Sequence, residues 1–162
     1  MLPMKDLARV FVAAGCHDVQ TYIQSGNVVC KASAIVAKTL PAIVAAAIQA
    51  DFGYRVPVVM RTVQELVEVI DGNPFLKAGH APDTLHVAFL ADLPKRDRVA
   101  ALDMTRSAPD QFLAKGREVY LCLPRGVAKT KLTNAYFDTT LGTTSTMRNW
   151  RTVLKLLELG GG

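Results

Sequence analysis

The sequence contains few cysteines and histidines and no long uncharged apolar run, and each shortage excludes a class of protein. Its three cysteines, Cys16, Cys30 and Cys122, are odd in number and far apart, so we expect reduced core thiols rather than disulfides. Three scattered histidines complete no metal-ligand spacing, so we expect no metal site and no cofactor. The longest uncharged apolar stretch, residues 39–50, contains Pro41 and is shorter than the roughly 20 residues of a membrane span. We therefore expect no membrane partner.

The start of the sequence lacks the basic region, apolar segment and small-residue cleavage site of a signal peptide, which predicts a cytoplasmic protein. No catalytic constellation is recognisable either. Ser25 follows a predicted strand, but the nucleophile motif G-x-S-x-G is absent, and no acid and histidine can be assigned as partners of this serine. The sequence alone therefore leaves open whether the protein is an enzyme.

Positive charge is present in excess and is concentrated toward the C-terminus. The 162 residues carry 19 Lys and Arg against 14 Asp and Glu, a net charge of +5. Residues 115–155 alone hold eight cations against two acids, a net charge of +6. A solvated basic face explains this excess, and so does a surface that binds a phosphate-bearing partner.

Hydrophobic periodicity in the first half of the chain predicts helix, hairpin, helix and strand. The predicted elements are a helix over 3–14, hairpin strands over 19–23 and 28–30, a helix over 36–52 and a strand over 56–60. Pro41 cannot lie inside a helix without cost. Either Thr39 therefore caps a helix that begins there, or an earlier helical turn is kinked at the proline.

The second half predicts strand, helix, hairpin and helix after an initial short helix. The predicted elements are a helix over 63–70, a strand over 84–90, a helix over 95–105, hairpin strands over 110–114 and 118–123, a helix over 131–141, a Thr/Ser-rich connector and a final helix from Trp150. Helical spacing makes Trp150 a core anchor rather than a base-stacking platform. The repeated order predicts a duplicated α+β unit with antiparallel sheets.

Cations flank the predicted starts of the last two helices. Lys129 and Lys131 precede one start, and Arg148 and Arg151 surround the other. The helix dipole disfavours positive charge there by about 0.3–1 kcal/mol for each residue, whereas a bound anion would reverse the sign. The alternative is that these side chains extend into water or pair with acidic residues. The two helix starts are therefore a candidate anion site.

Three segments carry a resemblance to a known family. At DVQTYIQSGNVV, at KTKLTNAYFDTTLGTTSTMRNWRTVLKLLEL and at NPF, the sequence resembles the family catalogued as domain of unknown function 1697. The resemblance covers essentially the whole chain. It implies an α+β fold of two tandem ferredoxin-like subdomains, which we expect at residues 1–61 and 62–162. The family as a whole has no established activity, so the resemblance supports the fold and hardly bears on function.

The positions that match the family signature extend the candidate site to both halves of the chain. The signature residues are Gln24, Ser25, Gly26, Asn27, Lys131, Leu132, Thr133, Asn134, Arg148, Asn149 and Trp150. The hypothetical ligand-binding residues are Gln24, Ser25, Gly26, Asn27, Lys129, Lys131, Thr133, Asn134, Arg148, Asn149 and Arg151. No residue can be assigned a catalytic role.

The resemblance also implies a missing N-terminal segment. Similar proteins begin with a strand and a Gly-rich basic loop, of the type ALLRGINVGGKN, before the helix that opens this sequence at Pro3. We expect that Met1 is an internal methionine and that the first subdomain lacks its initial strand. That strand would lie between those predicted at 27–31 and 56–60. Without it, the first sheet must either close over the gap or recruit a strand from another chain. The second alternative predicts dimerisation through the unpaired first sheet.

Three functions remain compatible with the sequence. The leading hypothesis is a cytosolic binding module that recognises a phosphate-bearing ligand or nucleic acid through its basic C-terminal half. The alternative is a small enzyme that acts on an anionic metabolite in a cleft between the subdomains, where Ser25, Asn27, Arg148 and Asn149 would converge. A purely structural interaction module would instead show a large exposed apolar patch.

Overall fold

The protein forms two compact units, each with its own antiparallel sheet. The computed structural model describes residues 2–24 and 26–161. One unit comprises residues 1–60 with 156–162, and the other comprises residues 61–155. The sheets contain two and four strands, and helices separate the hairpins and single strands along the chain. The predicted α+β class is confirmed, whereas the ferredoxin-like assignment and the predicted domain limits stay predictions.

The first unit, called unit 1, contains a hairpin and two long helices. Its elements are α1 (Met4–Ala13), β1 (His17–Tyr22), β2 (Asn27–Lys31) and α2 (Ala34–Phe52). The hairpin is antiparallel, as predicted, and β1 has one more residue than β2 between the pairs His17–Lys31 and Gln20–Val29. This extra residue bulges β1, and Asp18 has a φ of +50° there.

Helix α2 begins well before its proline. The Ser33 hydroxyl accepts a hydrogen bond from the Val36 N–H at 3.2 Å and caps the helix, so the alternative in which Thr39 caps it is wrong. Gly53 ends the helix with a φ of +75°. The side chains of Leu40, Val44 and Ile48 are buried, and they pack with α1 residues in the core of this unit.

By length and composition alone, α2 is long and apolar enough to cross a membrane. Its 19 residues include two charged side chains, Lys38 and Asp51. Core helices of soluble proteins and signal sequences share this composition. The prediction of no membrane span used the shorter stretch that begins after Lys38, and the helix itself extends past this residue.

The strand predicted over residues 56–60 is wrong. The chain from Gly53 to Thr62 belongs to no helix or strand, although Val58 and Met60 pack against the core of unit 1. A strand requires a hydrogen-bonded neighbour. Within the described residues of this unit, β1 and β2 pair only with each other. An apolar, β-branched sequence is therefore not sufficient to make this segment a strand.

The second unit, called unit 2, is built around a four-stranded sheet. Its elements are α3 (Val63–Asp71), α4 (Pro74–Lys77), β3 (Leu85–Leu90), α5 (Arg96–Ala100), β4 (Gln111–Lys115), β5 (Glu118–Cys122), α6 (Asn134–Leu141), β6 (Ser145–Asn149) and the first part of α7 (Trp150–Leu159). The strand order is β4-β5-β3-β6, and every neighbouring pair is antiparallel. All six residues of β3 are buried.

Strand β6 was not predicted, and two helices differ from their predicted positions. The Thr/Ser-rich connector contains the strand β6, because the buried strand β3 offers it a ladder from Leu90–Ser145 to His86–Asn149. The helix predicted to begin at residue 131 begins at Asn134. The helix predicted over 95–105 is the short α5, which ends at Ala100. Beyond it, the Asp103 carboxylate accepts hydrogen bonds from the Thr105 N–H and hydroxyl, a local pattern that competes with helical hydrogen bonding.

The core of unit 2 lies between the sheet and α6. The Phe112 and Phe137 rings pack edge to face with their centroids 5.7 Å apart. Trp150 is 2% exposed, which confirms the prediction that it is a core anchor rather than a base-stacking platform.

A buried arginine joins α3 to the sheet. The Arg61 guanidinium donates hydrogen bonds to the Glu118 carboxylate at 2.9 Å and to the backbone oxygens of Leu90 and Arg117, both at 2.8 Å. Arg117 in turn pairs with Glu65, which completes a capping box with Thr62 at the start of α3. The charges of Arg61 and Arg117 are therefore paired with acidic residues within the fold.

Candidate anion-binding site

The predicted site residues that the structure describes in unit 1 are Gln24, Gly26 and Asn27, at the turn between β1 and β2. Gln24 and Gly26 are exposed, and Ser25 lies outside the described residues. Asn27 is 4% exposed, and its side-chain amide donates a hydrogen bond to the Tyr22 backbone oxygen at 3.1 Å. This bond closes the hairpin, so Asn27 has a structural role in the turn.

In unit 2, two loops and the start of α7 lie at one end of the four-stranded sheet. This is the end where β3 and β4 begin and where β5 and β6 end, because Leu85 pairs with Cys122, which in turn pairs with Gln111, and His86 pairs with Asn149. The loops that precede β4 and follow β5 therefore lie at the same end as the start of α7. We call this region the basic end, since it carries Arg106, Arg125, Lys129, Lys131 and Arg151.

A buried serine and aspartate hold these two loops together. The Ser107 hydroxyl donates to the Asp110 carboxylate at 2.8 Å and accepts a hydrogen bond from the Lys131 N–H at 3.0 Å. Arg125 donates to the same Asp110 carboxylate oxygen at 3.3 Å. The Ser107–Asp110 pair thus fixes the backbone at Lys131 and the guanidinium of Arg125.

Arg106 adds a third cation to the same junction. Its Nε donates to the Lys131 backbone oxygen at 3.0 Å, and its guanidinium lies 4.1 Å from the centroid of the Tyr136 ring. The Tyr136 hydroxyl accepts a hydrogen bond from the Asp103 N–H at 2.8 Å. The loops of the basic end are therefore tied to each other and to α6.

Sequence reasoning missed Arg106, Ser107, Asp110 and Arg125. Ser107 and Asp110 lie in a Pro-containing loop and read as ordinary turn residues. Their partners follow 15–25 residues later, and no spacing rule connects residues so far apart in the chain. The only available signal was the general excess of positive charge.

The predicted cations differ in how much of their charge the fold uses. Lys129, Lys131 and Arg151 are exposed. Among residues 2–24 and 26–161, no ion pair within 4.0 Å involves any of these three side chains. Their charges are therefore available to a ligand, whereas Arg125 shares part of its charge with Asp110.

Both helix starts of the candidate site are capped by side chains. The Thr133 hydroxyl accepts a hydrogen bond from the Tyr136 N–H at 3.2 Å at the start of α6. The Asn149 side-chain oxygen Oδ1 accepts one from the Thr152 N–H at 2.8 Å at the start of α7. An anion would therefore be attracted mainly by the side-chain cations rather than by uncapped N–H groups.

Two further predicted site residues, Arg148 and Asn134, have their side chains away from Asn149. Arg148 and Asn149 are consecutive on a strand, so their side chains lie on opposite faces of the sheet. Arg148 donates to the Met147 backbone oxygen at 2.9 Å, and burial lowers its pKa. The Asn134 amide oxygen lies 3.1 Å from the hydroxyl of Ser145, at the beginning of β6. The structure thus does not bring Arg148 or Asn134 together with Asn149.

The basic end consists of two halves, one on each side of β3. One half is formed by the loops next to β4 and β5, and the other is the start of α7, which follows β6. His86 on β3 pairs with Leu121 on one side and with Asn149 on the other, so β5 and β6 lie two strand spacings, about 10 Å, apart. Burial lowers the pKa of His86, which therefore adds no positive charge between them at neutral pH. A ligand that contacts both halves must be larger than one phosphate group.

Thiol chemistry has little support in unit 1. Burial and the neighbouring Cys16 thiol together raise the pKa of the Cys30 thiol to about 12. Cys30 therefore stays protonated at neutral pH and is a poor nucleophile. Cys16 is 3% exposed, so it is a core residue of unit 1.

Comparison with known proteins now identifies the family. A sequence model of the family described as "Protein of unknown function (DUF1697)" matches residues 1–120, which is most of the chain. The chain belongs to the DUF1697 family. The predicted family is therefore confirmed. The QSGN segment lies within the matched residues, whereas the RNW segment follows them. No curated protein matches the sequence.

A solved structure supports the fold of this DUF1697 protein. The conserved bacterial protein SP0830 from Streptococcus pneumoniae is similar to it, with a TM-score of 0.68 and 15% sequence identity. The similarity covers 100% of this chain and 91% of SP0830. At this level of identity the likeness shows the fold alone.

Proposed function

We propose that this DUF1697 protein binds a ligand with several phosphate groups, and that single-stranded nucleic acid is such a ligand. The observation that carries the proposal is the exposure of Lys129, Lys131 and Arg151 at one end of the sheet, with no ion pair to these three side chains within the described residues. Strands β5 and β6 both end there and lie about 10 Å apart, on either side of β3. This distance favours a chain of phosphates over a single phosphate group.

The local charge balance supports this proposal. Asp83 and Asp103 are the exposed acids of the loops at the basic end, and Asp110 is buried against Arg125. Five cations therefore outnumber the acids around them. The Asp103 carboxylate also accepts hydrogen bonds from Thr105, which lower its pKa and leave it engaged within its own loop.

The architecture of the loops supports it further. Hydrogen bonds through Ser107 and Arg106 hold the backbone at Lys131, so less conformational entropy is lost when the side chain contacts a phosphate. The alternative of an enzyme with an active site between the subdomains stays a prediction, and so does the cytosolic location.

Fluorescence anisotropy with a labelled single-stranded oligonucleotide of about 20 nucleotides tests the proposal, at salt concentrations from about 50 to 300 mM. We expect binding that weakens linearly on a log–log plot. Lys129→Ala, Lys131→Ala and Arg151→Ala should each lower the affinity and reduce the slope by about 0.7–0.9.

Matched controls come from exposed lysines of unit 1. Lys5→Ala and Lys38→Ala remove the same charge from surfaces that do not belong to the basic end. They should leave the affinity and the salt slope unchanged. Equal losses for both sets of variants, or binding that does not depend on salt, would refute a site at the basic end. Inorganic polyphosphate as a competitor separates recognition of phosphates from recognition of bases.

A further inference from the structure

Strand β4 is an edge strand with backbone groups that face outward. Within the described residues it pairs only with β5. Gly116 has a φ of +60° in the two-residue turn that joins these strands, as in a type II′ hairpin, so Lys115 and Glu118 form the closing hydrogen-bonded pair. Hydrogen-bonded pairs alternate along the ladder. The N–H and C=O groups of Phe112 and Ala114 therefore point away from β5.

An apolar pocket of about 330 Å³ lies beside this edge. Its lining includes Phe75 and His80 from the α4 region, Phe112 and Leu113 from β4, and Met104 from the loop before β4. Phe112 packs in the core on one face of the sheet, whereas Leu113 points to the opposite face. Side chains from both faces line the pocket, so it opens at the edge of the sheet.

The same patch also exposes apolar side chains. Leu113 is 43% exposed and Met104 is 56% exposed, and both lie at the rim of the pocket that they help to form. An interface between two identical copies requires one patch to carry both the protruding side chain and the cavity that receives it. The edge of β4 meets this requirement.

We propose that β4 is the interface of a reversible homodimer, in which it pairs antiparallel with β4 of a second copy about a two-fold axis at Leu113. In this register Phe112 of each copy exchanges hydrogen bonds with Ala114 of the other, which satisfies the outward backbone groups. The two Leu113 residues form a non-hydrogen-bonded pair with Cα atoms about 4.5 Å apart. Each Leu113 side chain then faces the pocket of the other copy.

The charges on β4 are compatible with this register. Antiparallel pairing about Leu113 places Lys115 opposite Gln111 of the second copy, so no like charges face each other. Lys115 also does not block the edge, because its Nζ lies 3.3 Å from the position that a Cβ on Gly72 would occupy. The ammonium is thus drawn toward the end of α3. A strand of five residues gives a small interface and therefore a weak, reversible dimer.

Sedimentation velocity from about 5 to 500 µM protein tests the dimer by mass action. The mass of the wild-type protein should rise with concentration. Ala114→Pro removes an outward N–H without removing a bond to β5, so this variant should remain monomeric with an unchanged circular dichroism spectrum. Ala114→Val keeps the N–H and should still dimerise. A wild-type protein that is monomeric throughout, or an Ala114→Pro variant that dimerises equally well, would overturn the proposal.

Cross-linking tests the register independently of any folding defect. In Leu113→Cys, two thiols across the two-fold axis should form one disulfide when they transfer two electrons and two protons to added oxidised glutathione. Gln111→Cys is the control, because its own counterpart lies about four residue rises, or roughly 14 Å, away. We expect a covalent dimer from the first variant only. A dimer that survives Ala114→Pro without cross-linking at position 113 would assign the interface elsewhere, such as the sheet of unit 1.

Discussion

Arg61 shows how a cation can be used inside the fold rather than at the surface. Its side chain is 7% exposed and the Glu118 side chain is 16% exposed, so both charges are largely removed from water. Burial lowers the pKa of Arg61, while the Glu118 carboxylate acts in the opposite direction. Removal of the guanidinium would leave a buried carboxylate without its counter-ion, which is the costly case for a buried pair.

We therefore expect Arg61→Ala to lower the free energy of unfolding by about 3–5 kcal/mol. Arg9→Ala is the control, because the Arg9 side chain is 76% exposed in its pair with Asp6. That variant should cost no more than about 1 kcal/mol. Urea unfolding followed by circular dichroism measures both values, and similar losses would show that the Arg61 pair is not effectively buried.

His86 predicts a dependence of stability on pH. Burial lowers its pKa, and the hydrogen bond with the Thr84 backbone only partly opposes this. Below the unfolded value of about 6.5, the unfolded state binds the proton more readily, so stability falls as pH decreases. His86→Leu should weaken this decline between about pH 7 and pH 5, whereas His17→Leu, at an exposed position, should retain it. Urea midpoints at the two pH values measure the difference, and equal declines in both variants would contradict it.

At the level of residues, the sequence predicted three of the five cations of the basic end but not what positions them. Lys129, Lys131 and Arg151 stand out because charge is visible in the sequence. Ser107 and Asp110 do not, because their role depends on a contact with a loop about 20 residues away. Asp110 looks like an ordinary turn residue in the sequence, but in its buried position it accepts hydrogen bonds that hold two loops together. The neighbouring sequence does not show that a single polar residue will be buried.

One of the predicted site residues, Thr133, has a structural role as the N-terminal cap of helix α6. Thr133→Ala removes the hydroxyl that accepts from the Tyr136 N–H, so it should lower the free energy of unfolding by about 1 kcal/mol. Thr133→Asn supplies another capping oxygen and should restore most of this loss. Thermal unfolding of the two variants provides the measurement. Equal stability of Thr133→Ala and the wild type would mean that the hydroxyl is not an effective cap.

Helix α2 carries a proline that weakens it. Pro41 lies inside the helix and cannot donate a backbone hydrogen bond there. Pro41→Ala should therefore raise the free energy of unfolding, by up to about 3 kcal/mol. Pro74 is the matched control because it occupies the first position of α4, where a proline is tolerated, and Pro74→Ala should have little effect. Chemical denaturation compares the two, and a loss of stability in Pro41→Ala would contradict the expectation.

The elements show why one strand was missed and another was predicted wrongly. Helices α1, α3 and α7 were found from apolar spacing, and α3 also from its cap Thr62, which are local features of the sequence. Strand status depends on a partner. Residues 56–60 are apolar and form no strand, while β6 is polar and forms one because β3 lies beside it. Pairing over long distances in the chain decided both cases.

The molecule as a whole divides into units with unequal sheets. The hairpin of unit 1 stands as a two-stranded sheet, whereas β3 in unit 2 has a neighbour on each side. Two-stranded sheets are marginal on their own, so the amides of Val28 and Val29 should exchange with deuterium at least about tenfold faster than those of Val87 and Ala88. Hydrogen exchange with mass spectrometry resolves these segments. Equal protection would show that the hairpin is stabilised beyond its own ladder.

Trp150 gives the protein a natural optical probe. It is the single tryptophan of the chain, it is buried, and it belongs to unit 2. Its emission should therefore shift to longer wavelength when unit 2 opens and respond little to events confined to unit 1. Far-ultraviolet circular dichroism, in contrast, averages over all helices. An emission curve and a dichroism curve that do not coincide would thus separate the unfolding of the two units without any label.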